Sequence, residues 1–193
     1  MFSLLQGFWQ YFFSKPNLHV LIIGLDHAGK TTLLEQIKTR FGNTPGVPPE
    51  KIHPTVGMNL AKIKFKGSQV ILWDLGGQVK MRSMWERYYA EANAVIFVVD
   101  SADVGRMDEA KLAYDAACDH DGLAQVPVIT FANKQDLPGS LTVSELAENF
   151  HPVTDAVEIS RVFAVSAITG QGLEDGIAAV IQEAQVNARM TER

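Results

Sequence analysis

The chain has 193 residues, 47% hydrophobic and 20% charged, a balance that suits one domain with its own core and excludes a disordered chain. With 22 acidic against 17 basic side chains the net charge is -5, and no local basic patch offsets it, so no nucleic-acid partner is expected. Cys118 is the only cysteine, which rules out an internal disulfide framework and a cysteine-built zinc site and fits a reducing, cytoplasmic compartment.

Residues 1–16 come first and stand apart. Met1 to Phe13 carry no formal side-chain charge, and on a helical wheel Leu5, Phe8, Trp9, Phe12 and Phe13 share a face. This predicts an amphipathic helix that packs on its own domain, in a groove or on a membrane, ahead of a domain over residues 17–193. Phe2 occupies the position where N-myristoylation requires glycine, and Thr191, Glu192 and Arg193 offer no prenylation cysteine. Attachment without a lipid is therefore expected. No run approaches the roughly 18 apolar residues of a spanning helix.

Short β-rich runs then recur at Leu18–Ile23, Val70–Trp73, Ala94–Val99, Val126–Ala132 and Val162–Val165. Helical patterns separate them near Thr31–Arg40, Met107–His120, Val143–Phe150 and Leu173–Ala188. That alternation predicts βαβ units around a mostly parallel sheet with helices on both faces. The alternating run Met58–Phe65 breaks the rhythm, since Lys66, Gly67 and Ser68 are too short for a parallel crossover and must close an antiparallel hairpin. The expected fold is α/β: a six-stranded mixed sheet with one antiparallel hairpin edge. Gly42–Pro54 reads as a long loop entering the hairpin, a length often tied to function.

After the first strand, Gly24 to Thr31 matches G-x-x-x-x-G-K-[ST] in full. The loop Asp26, His27, Ala28, Gly29 turns backbone N–H groups toward phosphate oxygens, Lys30 adds a compact cation, and the next helix presents its positive N-terminal end. The Thr31 hydroxyl is placed to bind Mg2+, and Thr32 to add a phosphate contact. ATPases, small-molecule kinases and GTPases all remain open at this point.

The base is read by Asn133, Lys134, Gln135 and Asp136, at the end of a strand. Guanine presents two donors, N1–H and the 2-amino group, to which a carboxylate offers two acceptors, whereas adenine lacks that pair. Asp136 is therefore the specificity residue, with the Lys134 stem along the purine face and Asn133 tying this loop to the cradle. Ser166, Ala167 and Ile168 offer a backbone N–H to guanine O6, with Ser166 bracing Asp136. Misreading adenine would leave a buried carboxylate unpaired, worth about 10⁴ or more in discrimination.

GLDHAGKTT, WDLGGQ (Trp73–Gln78) and NKQD together resemble the P-loop small G domain of the Ras superfamily, most closely the ADP-ribosylation factor (Arf) and Arf-like family. Pro54, Thr55, Val56 and Gly57 are typical of that family. KTRF (38–41), RYYAEANAVIFVVDS (87–101) and the aromatic N-terminus look like its Arf-related branch. The resemblance implies GTP and GDP as ligands and Mg2+ as cofactor. By matching positions it gives Thr55 as the second hydroxyl on Mg2+, Asp74 as holder of a metal-bound water, the Gly77 N–H as partner of the γ-phosphate, and Gln78 as the residue orienting the attacking water. No arginine is assignable as a finger in cis, so hydrolysis is expected to be slow and to depend on an activating protein. The resemblance further implies exchange factors and effectors, a monomer, and a place on Golgi and trans-Golgi membranes. It also implies a two-residue slide of the hairpin that frees the N-terminal helix. A GTP-binding scaffold with negligible hydrolysis and a P-loop small-molecule kinase are the alternatives.

Overall fold

In a computed structural model the described residues are 17–42, 44–150 and 162–191. The helix expected over residues 1–16 lies outside the described residues. Six strands run β1 (Leu18–Ile23), β2 (Met58–Phe65), β3 (Ser68–Leu75), β4 (Ala94–Asp100), β5 (Val128–Asn133) and β6 (Val162–Ala164). They lie side by side in the order β2-β3-β1-β4-β5-β6. Every neighbouring pair is parallel except β2 and β3, which pair antiparallel from Met58↔Leu75 to Phe65↔Ser68. The turn is therefore only Lys66 and Gly67, both with positive φ (44° and 80°), a pairing whose twist suits a two-residue hairpin.

Alternation builds a core on each face of the sheet. Val20 and Ile22 join Leu33, Leu34 and Ile37 of α1 (Lys30–Phe41) and Ile177, Val180 and Ile181 of α6 (Leu173–Thr191). Leu21 and Ile23 point the other way, toward Tyr114 of α4 (Met107–Cys118), with Phe97 and Phe150. Burial on both faces is why 20–23 of β1 and 94–99 of β4 read as unbroken apolar runs. Tyr114 meets Phe97 and Phe150 edge-on at 5.1 and 5.4 Å.

Several boundaries differ from the sequence expectation for local reasons. β5 starts at Val128, not Val126, because Pro127 has no N–H to give the ladder and contributes only its carbonyl, which accepts from Val95. The helix expected over Val143–Phe150 runs only over Val143–Ala147 (α5). It is started by a capping box in which Thr142 and Glu145 exchange side-chain-to-backbone bonds. Two one-turn helices, α2 (Val79–Arg82) and α3 (Glu86–Tyr89), follow Gln78, in a stretch with no helical period. No described helix is long and apolar enough to cross a membrane.

Candidate nucleotide-binding site

The segments after β1, β3, β5 and β6 all leave from the C-terminal edge of the parallel strands, the edge where open α/β sheets bind ligands. Those after β1, β3 and β5 border a cleft of about 290 Å³ lined by Asp26, His27, Gly29, Lys30, Thr31, Thr32, Thr55, Gly77, Gln78 and Lys134, together with Pro49, Ile52, His53 and Pro54.

The cradle begins as β1 ends. Gly29 adopts φ 91° immediately before α1, and a Cβ there would collide with Asn133 Nδ2, so glycine is required. His27 takes φ 62° with its ring largely exposed. Lys30 is buried, and its Nζ donates to the Leu25 carbonyl at 2.6 Å. Burial pulls its ammonium down to about 8 against the opposing charge of Asp74.

At the opposite rim three side chains from three segments meet. Thr31 Oγ1 lies 2.7 Å from Thr55 Oγ1 and donates to Asp74 Oδ2 at 2.7 Å; Thr55 Oγ1 reaches the same oxygen at 3.2 Å. Asn59 Nδ2 donates to both Thr55 Oγ1 and Asp74 Oδ2 at 3.2 Å, a role that its neutral side chain in a strand did not signal. The long loop is strapped down on the way to Thr55: Glu35 of α1 accepts from the Val47 N–H at 2.8 Å, and Thr39 Oγ1 from the Gly46 N–H at 3.0 Å. Asp74 is fully buried and its Oδ1 has no hydrogen-bond partner among the described residues. Burial raises its carboxyl above the usual range, against the Thr31 hydrogen bond and the Lys30 charge. Two hydroxyls beside a buried carboxylate with one idle oxygen form an all-oxygen set suited to Mg2+, so these residues fit the ion. No group of three or more His, Cys, Asp or Glu that could hold a metal exists among the described residues.

On the nucleoside side, Asn133 is buried and joins two loops. Its Nδ2 donates to the Ala28 carbonyl at 2.8 Å, and its Oδ1 accepts from the Ala167 N–H at 2.9 Å. The tie from Asn133 to the cradle is thus present. Asn133 thereby anchors the Ser166–Ile168 loop through the Ala167 N–H. Ser166 Oγ accepts from the Thr169 N–H at 3.1 Å, which the tight turn through Thr169 brings to it. Asp136 is exposed, at the mouth of the turn that the Gln135 N–H fixes on the Val165 carbonyl. Lys134 reaches Asp100 Oδ2 at 2.6 Å, a partner at the end of β4 that sequence patterning did not single out.

Gly77 is buried against the cradle, where a Cβ would collide with Gly24 O and Leu25 C. Trp85 Nε1 donates to the Gly76 carbonyl at 3.0 Å, which turns the Gly77 N–H of the same trans peptide the opposite way. Gln78 follows in extended conformation, half-buried at the cleft.

Comparison with known proteins agrees with this geometry. The ADP-ribosylation factor family profile matches residues 4–184. Human ADP-ribosylation factor-related protein 1 is 41% identical over 180 residues, covering 92% of this chain and 90% of that protein. ADP-ribosylation factor-like protein 3 of Saccharomyces cerevisiae is 37% identical over 98% of this chain and 96% of its own length. Among solved structures, the Arl6 BBS3 small GTPase of Trypanosoma brucei with bound GppNp superimposes with a TM-score of 0.73 at 32% identity, covering 89% of this chain and 99% of that one. The chain belongs to the ADP-ribosylation factor family of small GTPases, enzymes that bind GTP and GDP with Mg2+ and hydrolyse GTP.

Proposed function

We propose that this GTPase is a switch for vesicle traffic, a monomer peripheral to the cytoplasmic face of Golgi and trans-Golgi membranes. The observation that carries the switch is the 2.7 Å contact between Thr31 and Thr55 over Asp74. It ties the loop ahead of the hairpin to the cradle at the metal-ligand set, so loop position and nucleotide state belong to one equilibrium.

Thr31 and Thr55 would hold Mg2+, with Asp74 beside them, and the ion would supply neutralisation of the charge that develops on the phosphates. Lys30 pairs with the phosphates, with Asp26 to Gly29 and Thr32 around them. The Gly77 N–H receives the γ-phosphate, Gln78 orients the attacking water, and Asp136 reads the guanine edge. Among the described residues no arginine lines the cleft. Family members work with exchange factors, activating proteins and effectors; here the activating protein supplies an arginine, worth about 10³ to 10⁵ in rate. Exchange of GDP for GTP slides β2 along β3 by two residues. That step keeps Ala61, Ile63 and Phe65 buried where one residue would turn them out. The slide frees the Leu5, Phe8, Trp9, Phe12 and Phe13 face for a bilayer, without a myristoyl group.

Gln78 and Gly77 at the cleft favour a hydrolysing switch over an inert scaffold. Single-turnover hydrolysis with an activating protein tests this: Gln78→Leu is expected to lower the rate by about 10² or more while GTP binding persists. An unchanged rate contradicts the assignment.

A further inference from the structure

One cluster of charges spans three segments beside the cleft, and its Arg82, Arg106 and Glu109 are unused by the mechanism above. Arg106, just ahead of α4, donates through Nη2 to Asp26 Oδ1 at 2.7 Å and through Nη1 to the Asp26 carbonyl at 3.2 Å, gripping the cradle by side chain and backbone together. Its Nε donates to Glu109 Oε2 at 2.8 Å. The other Glu109 oxygen accepts from Arg82 Nη2, and Arg82 Nε donates to the Gly77 carbonyl at 3.0 Å. Charge alternates along this path from Asp26 to Arg82. The path closes on itself because Gly77 packs directly on the cradle. The side chains of Arg82, Arg106 and Glu109 are only 18%, 31% and 37% exposed, so solvent screens these pairs less than open surface pairs. The Arg106 hydrogen bond, then that of Arg82, holds the Glu109 carboxyl down at about 2.

We infer that Arg106, Glu109 and Arg82 are positioning residues that lock the Gly77–Gln78 peptide against the phosphate cradle and so bias the site toward GTP over GDP. An N–H donor on the Gly77 carbonyl fixes the plane of the peptide that leads into Gln78. Trp85, on the preceding carbonyl, fixes the peptide that carries the Gly77 N–H. Two successive peptides are thereby preset for the γ-phosphate. A γ-phosphate rewards a docked Gly77, whereas GDP offers Gly77 nothing, so preorganising the loop raises affinity for GTP alone. Both arginines are committed within the protein, which is why neither serves as a finger. The inference rests on Gly77 as partner of the γ-phosphate.

The test measures GDP and GppNHp affinities of the full-length protein, with thermal unfolding as a check on folding, for Arg106→Met, Arg82→Met, the double variant, Arg106→Lys and Gly77→Ala. Each single arginine-to-methionine variant is expected to lower the GppNHp-to-GDP affinity ratio by about three- to tenfold, with GDP affinity held within about twofold. The double variant should be no worse than the poorer single, since both break one path. Arg106→Lys should also lower the ratio, because an ammonium cannot span Asp26 and Glu109 as the fork does. Losses that multiply in the double variant, or that fall equally on GDP and GppNHp, overturn the relay. A Gly77→Ala protein with an unchanged ratio instead overturns the Gly77 premise, and the relay with it. A ratio lowered by Gly77→Ala but not by the arginine variants overturns the relay alone.

Discussion

Replacing Asn133 by alanine should loosen the site more than its small size suggests. The side chain is 1% exposed and satisfies two backbone groups in different loops, the Ala28 carbonyl at 2.8 Å and the Ala167 N–H at 2.9 Å. Stranding a buried backbone group costs about 1–3 kcal/mol, so the two together reach roughly 2–6 kcal/mol. At about 1.4 kcal/mol per decade this predicts a loss of nucleotide affinity between roughly thirtyfold and about 10⁴-fold. GTP and GDP should suffer alike, because both need cradle and base loop in register. The assay is release of a fluorescent GDP analogue, with urea unfolding alongside to separate affinity from global stability. Asn133→Asp is the informative companion. It still accepts from Ala167 but sets an acceptor against the Ala28 carbonyl, so it should bind at least as weakly as the alanine variant. Affinity within about threefold of wild type in both variants would refute the claim that Asn133 joins the loops.

Asp136→Asn should exchange guanine for xanthine preference, since an amide donates to the 2-oxo group that xanthine carries; competition of GTP, XTP and ATP for the variant decides it, and retained GTP preference counts against Asp136 as the reader. The relay has a defined pH signature. Glu109 is depressed from 4.5 to about 2, so its contribution is present above the unfolded value and is lost only as pH falls toward about 2. The difference in GppNHp-to-GDP ratio between wild type and Arg106→Met should therefore stay flat from about pH 8 to about pH 5.5, and a collapse near neutrality would contradict it.

Much of the architecture was legible because it is written locally. Leu18–Ile23 and Met58–Phe65 announce their strands by apolar content and alternation, and the structure gives both the same bounds. G-x-x-x-x-G-K-T marks a loop whose geometry is set by consecutive residues, so the cradle could be placed before any coordinates. Other parts depend on partners far away in sequence. Arg106 and Asp26 are 80 positions apart, and no periodicity predicts such a pair, whereas the tie of Asn133 to Ala28 across 105 positions was readable only because Asn133 sits in a recognisable motif. The partner of Ser166 within its own loop is hidden from the sequence for the same reason. Whether Ser166 turns to Asp136 or to the Thr169 amide is decided by a turn of the backbone, not by residue type. The one-turn helices after Gln78 are too short to show a hydrophobic period, yet they carry Arg82 and follow with Trp85, which set the Gly77 peptides.

The central claim is that nucleotide state governs membrane attachment through the N-terminal face. Each large apolar side chain removed from water contributes about 1.5–3 kcal/mol, so Leu5, Phe8, Trp9, Phe12 and Phe13, if buried in a bilayer as proposed, would together suffice for reversible anchoring. The direct measurement is flotation of the full-length chain with liposomes, loaded with GDP or with GppNHp. The account predicts at least about tenfold more protein on the vesicles in the GppNHp state. Equal partition in both states would contradict it.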